Sequence, residues 1–367
     1  MTTSDPVERT CRLGGADVHY WSYRDALAAG GPATDVRRHD AEVTAPRPAE
    51  RARATAAPSG EVTAPVAAGG VTADGAATAP GRPGGDAAPA APDVGSRTDV
   101  DLPPDADGTP VVMVHGLRGT HHGLELIADG LPDRNVVIPD LPGYGASGPL
   151  TTGRHDVAGY ARVIAELIEH LGGRERPVVL LGHSFGSIVA ARVAAEHPEL
   201  VHRLVLVNPI ATPALRGPRV LLSKLTAGYY AVGKALPDRL GTALLSHRLI
   251  VLGASRAMTR TKDARLRAFI DSSHLQHFSS FHSPEVLSET FDASVSHTVA
   301  DHAAALRMPV LLIAGATDDI APVDGQRVLT ARIPRGKLVV LPDVGHLVHY
   351  ETPEAAAGAI TEFLGEA

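Results

Sequence analysis

The chain has 367 residues, 44% of them hydrophobic, and a formal net charge of -7. This length is enough for one large α/β domain with a substantial core plus further segments. No stripe of basic residues accompanies aromatic side chains, which argues against nucleic acid as a partner. The single cysteine, Cys11, excludes an internal disulfide and fits a reducing compartment.

The N-terminus lacks the basic and apolar pattern of a secretory signal. No stretch of the sequence is apolar over the roughly 18 residues that a membrane span needs. We therefore expect a cytoplasmic protein without a membrane span, whose partner is a small-molecule substrate. The oligomeric state is left open by the sequence.

Residues 1–29 contain a predicted β-hairpin. The run from Arg12 to Tyr23 alternates in polarity around a turn at Gly-Gly or Ala-Asp. The next segment, 30–107, is dominated by Ala, Pro, Gly, Thr and Asp, which predicts a disordered tract. We interpret this tract as an insertion within one folded domain, because residues 18–21 are too apolar for a disordered tail. The alternative is a single disordered tail over 1–107.

From residue 108 onward, apolar runs alternate with amphipathic segments. Strands are predicted at 110–115, 135–139, 177–182, 204–208, 309–314 and 337–341, and helices near 122–130, 156–171, 185–196, 322–332 and 353–364. This alternation predicts an α/β fold with a mostly parallel sheet covered by helices on both faces. The core comprises 108–212 and 307–367. Between them, 213–306 is helix-rich and predicts an inserted cap over the carboxyl edge of the sheet, where such sheets bind ligands.

A Gly-x-Ser-x-Gly pentapeptide at 182–186 lies between an apolar strand and a helix-forming run. A serine at such a sharp turn projects over the sheet edge, and the helix N-terminus behind it favours developing negative charge. Gly182 and Gly186 leave room where a Cβ would clash. Ser184 is therefore a candidate nucleophile, although the pentapeptide alone can arise by chance in a glycine-rich chain.

A serine nucleophile requires a histidine base and an acid that orients that base. His346 is the candidate base among 18 histidines, because it follows the last predicted strand on the same sheet edge as the serine. The loop after the preceding strand offers Asp318 or Asp319 as the acid. Asn208 occupies the other position where an acid could lie, and its side chain cannot be an anion.

From Pro110 to the C-terminus the chain resembles the α/β-hydrolase superfamily. Five motifs carry the resemblance: His115-Gly116-Leu117-Arg118-Gly119, the run 140–147, the elbow at Ser184, Gly315-x-x-Asp318-x-x-x-Pro322, and Gly345-His346 followed by Glu351 and Pro353. The order Ser, Asp, His is the order of that family. The glycine spacing in the acid loop favours Asp318 over Asp319. The resemblance also implies an oxyanion hole formed by the backbone N–H groups of Leu117 and Phe185.

Together these features predict a serine hydrolase that acts through an acyl-enzyme on a carboxylic ester with an apolar portion. Neither a cofactor nor a metal is expected. The chemical alternative is carbon–carbon bond hydrolysis or acyl transfer with the same three residues. The alternative of another class is a non-catalytic ligand-binding protein, against which the intact set of Ser184, Asp318 and His346 argues.

Other side chains in these motifs have structural interpretations that we prefer. Histidines 115, 183 and 349 are expected to support the site rather than react, the alternative for His349 being the role of base. Arg118 is expected to be a solvated loop residue, the alternative being contact with an anionic substrate near the oxyanion hole. His121 and His122 are neighbours without a third ligand at metal spacing, which favours a solvated turn. The cap histidines and aromatic residues either line the pocket or form the cap's own core: His274, His277, His282, Tyr229, Tyr230, Phe269, Phe278 and Phe281.

Overall fold

The computed structural model describes residues 6–23, 109–212 and 220–365. Within them, strands form an eight-stranded sheet in the order β1-β2-β4-β3-β5-β6-β7-β8. Their bounds are β1 Val7–Leu13, β2 Ala16–Tyr23, β3 Val111–Val114, β4 Val136–Pro139, β5 Val178–His183, β6 Val201–Val207, β7 Val310–Gly315 and β8 Gly336–Leu341. Strands β3 to β8 run parallel, whereas β1 and β2 are antiparallel to their neighbours. The predicted mostly parallel sheet is confirmed.

Helices cover both faces of this sheet. Their bounds are α1 Glu125–Asp129, α2 Val157–His170, α3 Phe185–Glu196, α4 Val220–Ala235, α5 Asp238–Leu245, α6 Arg248–Met258, α7 Ala264–His277, α8 Pro284–Ser296, α9 Val323–Ala331, α10 Val348–Glu351 and α11 Pro353–Gly365. Alternate residues of β3 enter different hydrophobic clusters, because successive side chains of a strand point to opposite faces. Val112 and Val114 pack with α2 and α3, and Val111 and Met113 pack with α1 and α11.

The predicted β-hairpin forms the first edge of the sheet. Its turn is Gly14-Gly15, and both residues have positive φ, which a tight hairpin turn requires and glycine tolerates. Strand β2 then pairs with β4, and Tyr23 lies opposite Val136. Val111 at the start of β3 lies opposite the same Val136 on its other side. The two chain ends that flank the predicted insertion therefore lie about 10 Å apart, two strand spacings. The predicted insertion itself, 30–107, lies outside the described residues.

Two elements differ from the sequence prediction. The predicted helix at 122–130 is divided into a 3-10 turn, His121–Gly123, and the short helix α1. Strand β6 begins at Val201, three residues before its predicted start. The charged Arg203 interrupts the apolar run of the sequence, but the sheet accommodates its side chain. Its guanidinium donates to the Phe363 carbonyl at 3.0 Å and lies 5.3 Å from the centroid of the Phe363 ring.

Helices α4 to α8 form the inserted cap between β6 and β7. The linker between α7 and α8 is joined to the loop after β4 by backbone hydrogen bonds. The N–H of Gly145 donates to Ser280 O, and the N–H of His282 donates to Gly143 O, each at 2.8 Å. Among the described helices, none combines the length and apolarity of a membrane-spanning segment.

Candidate active site

Ser184 lies at the apex of a sharp turn between β5 and α3. Its backbone has φ 52 and ψ -118, an unusual conformation for a residue with a side chain. The residues two positions before and after Ser184 must be glycines, because there is no room for a Cβ at Gly182 or at Gly186. A Cβ on Gly182 would lie 2.3 Å from the Gly186 carbonyl oxygen, and one on Gly186 would lie 2.3 Å from Val114 O. The strained turn leaves the serine hydroxyl partly exposed at the carboxyl edge of the sheet.

Ser184, His346 and Asp318 form one chain of hydrogen bonds. Ser184 Oγ lies 2.8 Å from His346 Nε2, and His346 Nδ1 lies 2.8 Å from Asp318 Oδ2. Because Asp318 accepts, Nδ1 of the imidazole carries the proton that is donated to it, and Nε2 is free to accept the serine proton. The serine comes from the elbow after β5, the aspartate from the loop after β7, and the histidine from the loop after β8.

The two candidate acids have different surroundings. Asp318 is buried, and its Oδ1 accepts from the N–H groups of Ile320 at 2.7 Å and Ala321 at 3.0 Å. Burial opposes ionisation of Asp318, but the charge and hydrogen bond of His346, together with these amides, hold the pKa of its carboxyl below the usual value. Asp319 instead pairs with Arg260 at the surface. The structure thus brings Asp318, and not Asp319, to His346.

The loop that carries Leu117 lies against the serine elbow. A Cβ on Gly116 would lie 3.2 Å from Ser184 Cβ, so this loop and the elbow are in close contact. Leu117 and Phe185 both line the cavity above the serine. Phe185 begins α3, where the first N–H groups of a helix lack intrahelical acceptors and the helix dipole favours negative charge.

Three further histidines around the serine are buried and structural in their contacts. His115 Nδ1 donates to Gly116 O, and its Nε2 accepts from the N–H of Leu141, both at 2.9 Å. His183 Nε2 donates to the carbonyl of His346 at 3.3 Å. Burial, followed by the nearby His346, lowers the pKa of His183 to about 3, so its ring is neutral. His349 packs on His183 with ring centroids 4.1 Å apart.

Asn208 and Glu351 support the base loop in ways that the sequence did not reveal. The sequence indicates only that Asn208 cannot be the acid. Its Nδ2 donates to Gly345 O at 2.8 Å, and its Oδ1 accepts from the N–H of Gly315 at 3.3 Å, so it joins the strand before the acid to the loop that holds the base. Glu351 accepts from the N–H of Gly345 at 3.4 Å and from that of Arg260 at 2.6 Å. The positive φ of 44 at Asn208, common for Asn, was not visible in its local sequence.

A cavity of about 590 Å³ lies above Ser184, between the sheet edge and the cap. Its apolar lining comes from both parts: Leu117, Phe185, Ile210, Tyr230, Ala254, Met258, Phe278, Phe291, Val295, Ile320, Leu347 and Tyr350. The predicted cap aromatics divide between the two roles that we considered. Tyr230 and Phe278 line the cavity. Phe281 lies in the core, and Tyr229 donates to Leu244 O at 2.9 Å within the cap. Phe291 also lines the cavity, although nothing in its local sequence indicates this.

The expectation that Arg118 is solvated is wrong. Its side chain is buried, with 6% of the residue exposed. Nε donates to the Phe278 carbonyl at 3.0 Å and Nη2 to the Leu245 carbonyl at 2.9 Å. These carbonyls lie at the C-terminal ends of α7 and α5, where the helix dipole favours a cation. Arg118 therefore fastens two cap helices to the loop that carries Leu117.

A sequence profile described as the alpha/beta hydrolase fold matches residues 109–353. The chain belongs to the α/β-hydrolase fold family. Its match to "Putative carbamate hydrolase RutD" of Caulobacter sp. (strain K31) is 29% identical and covers 72% of this chain and 94% of the relative. A 2-hydroxymuconate semialdehyde hydrolase of Pseudomonas putida is 26% identical, over 74% and 92% of the two chains.

Among solved structures, this α/β-hydrolase is similar to a thermophilic esterase from Thermogutta terrifontis. The TM-score is 0.56 and the identity 26%, over 70% of this chain and 89% of the esterase. These relatives are named as hydrolases of different bonds.

Proposed function

We propose that this α/β-hydrolase is a serine hydrolase that acts through an acyl-enzyme on carboxylic esters with an apolar portion. The observation that carries the proposal is the unbroken chain from Ser184 Oγ through His346 to Asp318, with both distances at 2.8 Å. Such a chain is what activates a serine hydroxyl, which is otherwise a weak nucleophile.

In the first half-reaction, Ser184 Oγ attacks the ester carbonyl carbon while its proton passes to Nε2 of His346. The tetrahedral oxyanion accepts hydrogen bonds from the N–H groups of Leu117 and Phe185. The carbon–oxygen bond to the alcohol then breaks, and the imidazolium gives its proton to the departing alkoxide oxygen. Asp318 keeps the imidazole in the required tautomer and stabilises its charged form.

In the second half-reaction, His346 removes a proton from a water molecule, which attacks the acyl carbon. The second tetrahedral intermediate collapses, Ser184 Oγ leaves and takes the proton back from His346, and the carboxylic acid is released. Atoms and charges balance over the two steps, and the enzyme returns to its starting state. The same Leu117 and Phe185 amides serve both intermediates.

The apolar lining of the cavity supports a substrate with an apolar portion. Side chains from the core, such as Ile210, and from the cap, such as Tyr230 and Phe291, surround the space above Ser184. Burying an apolar acyl or alkoxy group there is favoured by about 25 cal/mol per Å² of surface removed from water. The esterase that this chain resembles in structure also supports ester chemistry. The relative named as a 2-hydroxymuconate semialdehyde hydrolase makes carbon–carbon bond hydrolysis the second candidate.

Labelling with a fluorophosphonate probe tests the serine mechanism directly. We expect one probe per chain in the wild type and none in Ser184→Ala. Ser294→Ala is the matched control, because Ser294 also lines the cavity but donates its hydroxyl to Phe291 O, and it should still be labelled. A folded wild-type protein that is not labelled would favour a non-catalytic binding protein.

Substrate class is tested with p-nitrophenyl esters of increasing acyl length. We expect kcat/KM to rise with chain length until the acyl group fills the cavity of about 590 Å³ and then to fall. Hydrolysis of a vinylogous diketo acid, with no turnover of any ester, would instead establish the carbon–carbon hydrolase. Labelled protein that turns over neither class would direct attention to acyl transfer.

A further inference from the structure

A cluster of three imidazoles and one carboxylate lies beside the cavity, outside the serine, histidine and aspartate set. His121 and His122 form the 3-10 turn after the Leu117 loop, Glu125 begins α1, and His277 ends α7 of the cap. The sequence favoured a solvated turn at His121 and His122, but His121 is buried. The structure supplies a third ligand in Glu125, because one helical turn brings residues three and four apart together.

We propose that His121, His122 and Glu125 bind a divalent transition-metal ion of the Zn²⁺ class. One donor atom from each residue lies within 4.8 Å of the others. Glu125 Oε1 lies 3.0 Å from His122 Nδ1 and 3.9 Å from His121 Nε2. A tetrahedral zinc with bonds of about 2.0 Å holds neighbouring ligands about 3.3 Å apart, so these two distances bracket the required spacing.

His121 is already oriented as a metal ligand. Its Nδ1 donates to Asp140 Oδ1 at 2.9 Å, which leaves the lone pair of Nε2 directed away from Asp140. The Asp140 carboxylate is completely buried and also accepts from the N–H of His121 at 2.7 Å. A carboxylate that holds the far nitrogen of a histidine is the usual outer partner of a zinc-binding imidazole. Trp21 stacks on the His121 ring, with centroids 3.3 Å apart and planes 13° from parallel.

Glu125 is held from the other side by the N-terminal hairpin. The hydroxyl of Tyr23 donates to Glu125 Oε1 at 3.1 Å. Tyr23 and Trp21 are two residues apart on β2 and therefore point to the same face. One strand thus fixes both the ring of His121 and the carboxylate of Glu125, which lowers the cost of ordering the ligands when an ion binds.

His277 offers a further position on the cavity side. Its ring centroid lies 3.9 Å from that of His122, and the residue lines the cavity above Ser184. Two imidazoles and one carboxylate are three protein ligands, and His277 or a water can complete four-coordination. With His277 as the fourth ligand, the ion would join the segment after Leu117 to the cap. The inference does not depend on the proposed serine chemistry.

The chain offers a sensitive reporter of this site. Trp21 is the single tryptophan of the sequence and is stacked on a proposed ligand. We would strip the full-length protein with a chelator and titrate it with ZnCl₂ while following tryptophan emission. The expected result is a saturable change in emission at one ion per chain, with the stoichiometry checked by calorimetry. The same titration should raise the melting temperature, because the ion binds the folded state.

Two conservative variants and a matched control complete the test. His122→Asn and Glu125→Gln should each weaken Zn²⁺ binding by at least tenfold. The control is His197→Asn, because His197 forms a similar surface pair with Glu199, at 3.5 Å, without a second histidine; its affinity should equal that of the wild type. The melting temperature of each variant without metal shows whether it is folded.

Two outcomes would overturn the proposal. If Trp21 emission in the wild type does not saturate with Zn²⁺, the cluster is only a hydrogen-bonded pair of His122 and Glu125. If emission saturates with the same affinity in all three variants, the ion binds elsewhere. The first outcome needs no variant, so it decides the matter even if a substitution prevents folding.

Discussion

The guanidinium of Arg118 donates to the carbonyl of Leu245 at 2.9 Å, which joins the residue after Leu117 to the last turn of α5. The two residues are 127 positions apart in the chain. The backbone of Arg118 has φ 62, so the side chain that reaches the cap and the amide proposed for the oxyanion hole share one unusual turn. The position of the cap and the geometry of that turn are therefore coupled.

We expect Arg118→Met to lower both stability and turnover. Removing the guanidinium takes the donor from the buried Leu245 carbonyl, which costs about 1–3 kcal/mol, and from the partly buried Phe278 carbonyl, which costs less. The released loop should also reduce kcat more than it raises KM, because the proposed oxyanion amide acts mainly in the transition state. The control is Arg174→Met, whose side chain is 63% exposed. Unchanged kcat with a lowered melting temperature would show that Arg118 acts on the fold alone.

The two neighbouring aspartates allow a matched comparison of kinetics. Asp318→Asn should reduce kcat by about 10⁴-fold, because the amide favours the wrong tautomer of His346. Asp319→Asn removes a partly exposed pair with Arg260 and should change kcat by less than about fivefold. Steady-state kinetics on one p-nitrophenyl ester measure both. Equal losses would mean that the choice between the two acids is wrong.

Stability should fall as the pH drops below about 6.5. Burial, followed by the nearby His346, lowers the pKa of His183 to about 3, and burial lowers that of His274 to about 4, from an unfolded value of 6.5. At a pH between the folded pKa and the unfolded pKa of each histidine, the unfolded chain binds a proton that the folded chain does not. Lowering the pH through this range therefore favours the unfolded state. The pKa of the Asp318 carboxyl is lowered in the folded state. Its contribution to stability is therefore present above the unfolded pKa of 3.8 and is lost as the pH falls below that value.

Urea unfolding at pH 7.5, 6.0 and 5.0 checks this prediction. His274→Phe should reduce the slope of the unfolding free energy by about 1.4 kcal/mol per pH unit, the value for one proton. The phenyl ring can retain packing with Phe278 and Tyr350. His197→Asn, at a side chain that is 41% exposed, is the control. A slope that His274→Phe leaves unchanged would contradict a neutral buried imidazole.

Two glycine substitutions should have opposite effects on the melting temperature. In Gly182→Ala the new Cβ would lie 2.3 Å from Gly186 O, so the elbow must shift. We expect a loss of about 1–3 kcal/mol and of fluorophosphonate labelling. In Gly358→Ala, within α11, no atom lies within 4 Å of the new Cβ, and the helix should gain about 0.5–1 kcal/mol. Normal labelling of Gly182→Ala would refute the spatial argument.

We also propose that residues 7–23 are part of the hydrolase domain and that the segment between them and β3 is an insertion. Tyr23 and Val111 flank the same residue, Val136, so roughly a dozen residues can connect them. Deleting 31–105 should leave the melting temperature nearly unchanged. Deleting 1–105 removes β2 from the edge of β4 and should lower it strongly. The same melting temperature for both would contradict the proposal.

Much of the fold was predictable because its signals are local. The strand that precedes Ser184 and the helix that follows it are continuous apolar runs, and glycine spacing marks the turn between them. The six core strands are predicted from the sequence, but β6 begins three residues before its predicted start and includes the charged Arg203. Its acceptor, the Phe363 carbonyl, is 160 positions away and cannot be inferred from the strand itself.

The candidate site was predictable in its residue types but not in all its contacts. The family's glycine spacing favoured Asp318 over its neighbour, whereas the direction of each carboxylate depends on the folded loop. The burial of Arg118 could not be predicted, because its acceptors, Phe278 O and Leu245 O, belong to the cap. The position of Glu125 is different, because its three-residue spacing from His122 can be read from the sequence.

The N–H groups of Gly145 and His282 form a pair of backbone hydrogen bonds between the core and the cap. Hydrogen bonds of this kind hold neighbouring strands together, and here they fasten the linker between α7 and α8 to the loop after β4. Where residues 280–282 contact residues 143–145, the cap is held to the core by backbone hydrogen bonds and cannot move independently of it. Any widening of the cavity for a large substrate therefore has to come from parts of the cap away from this linker and from the two helix ends that Arg118 holds.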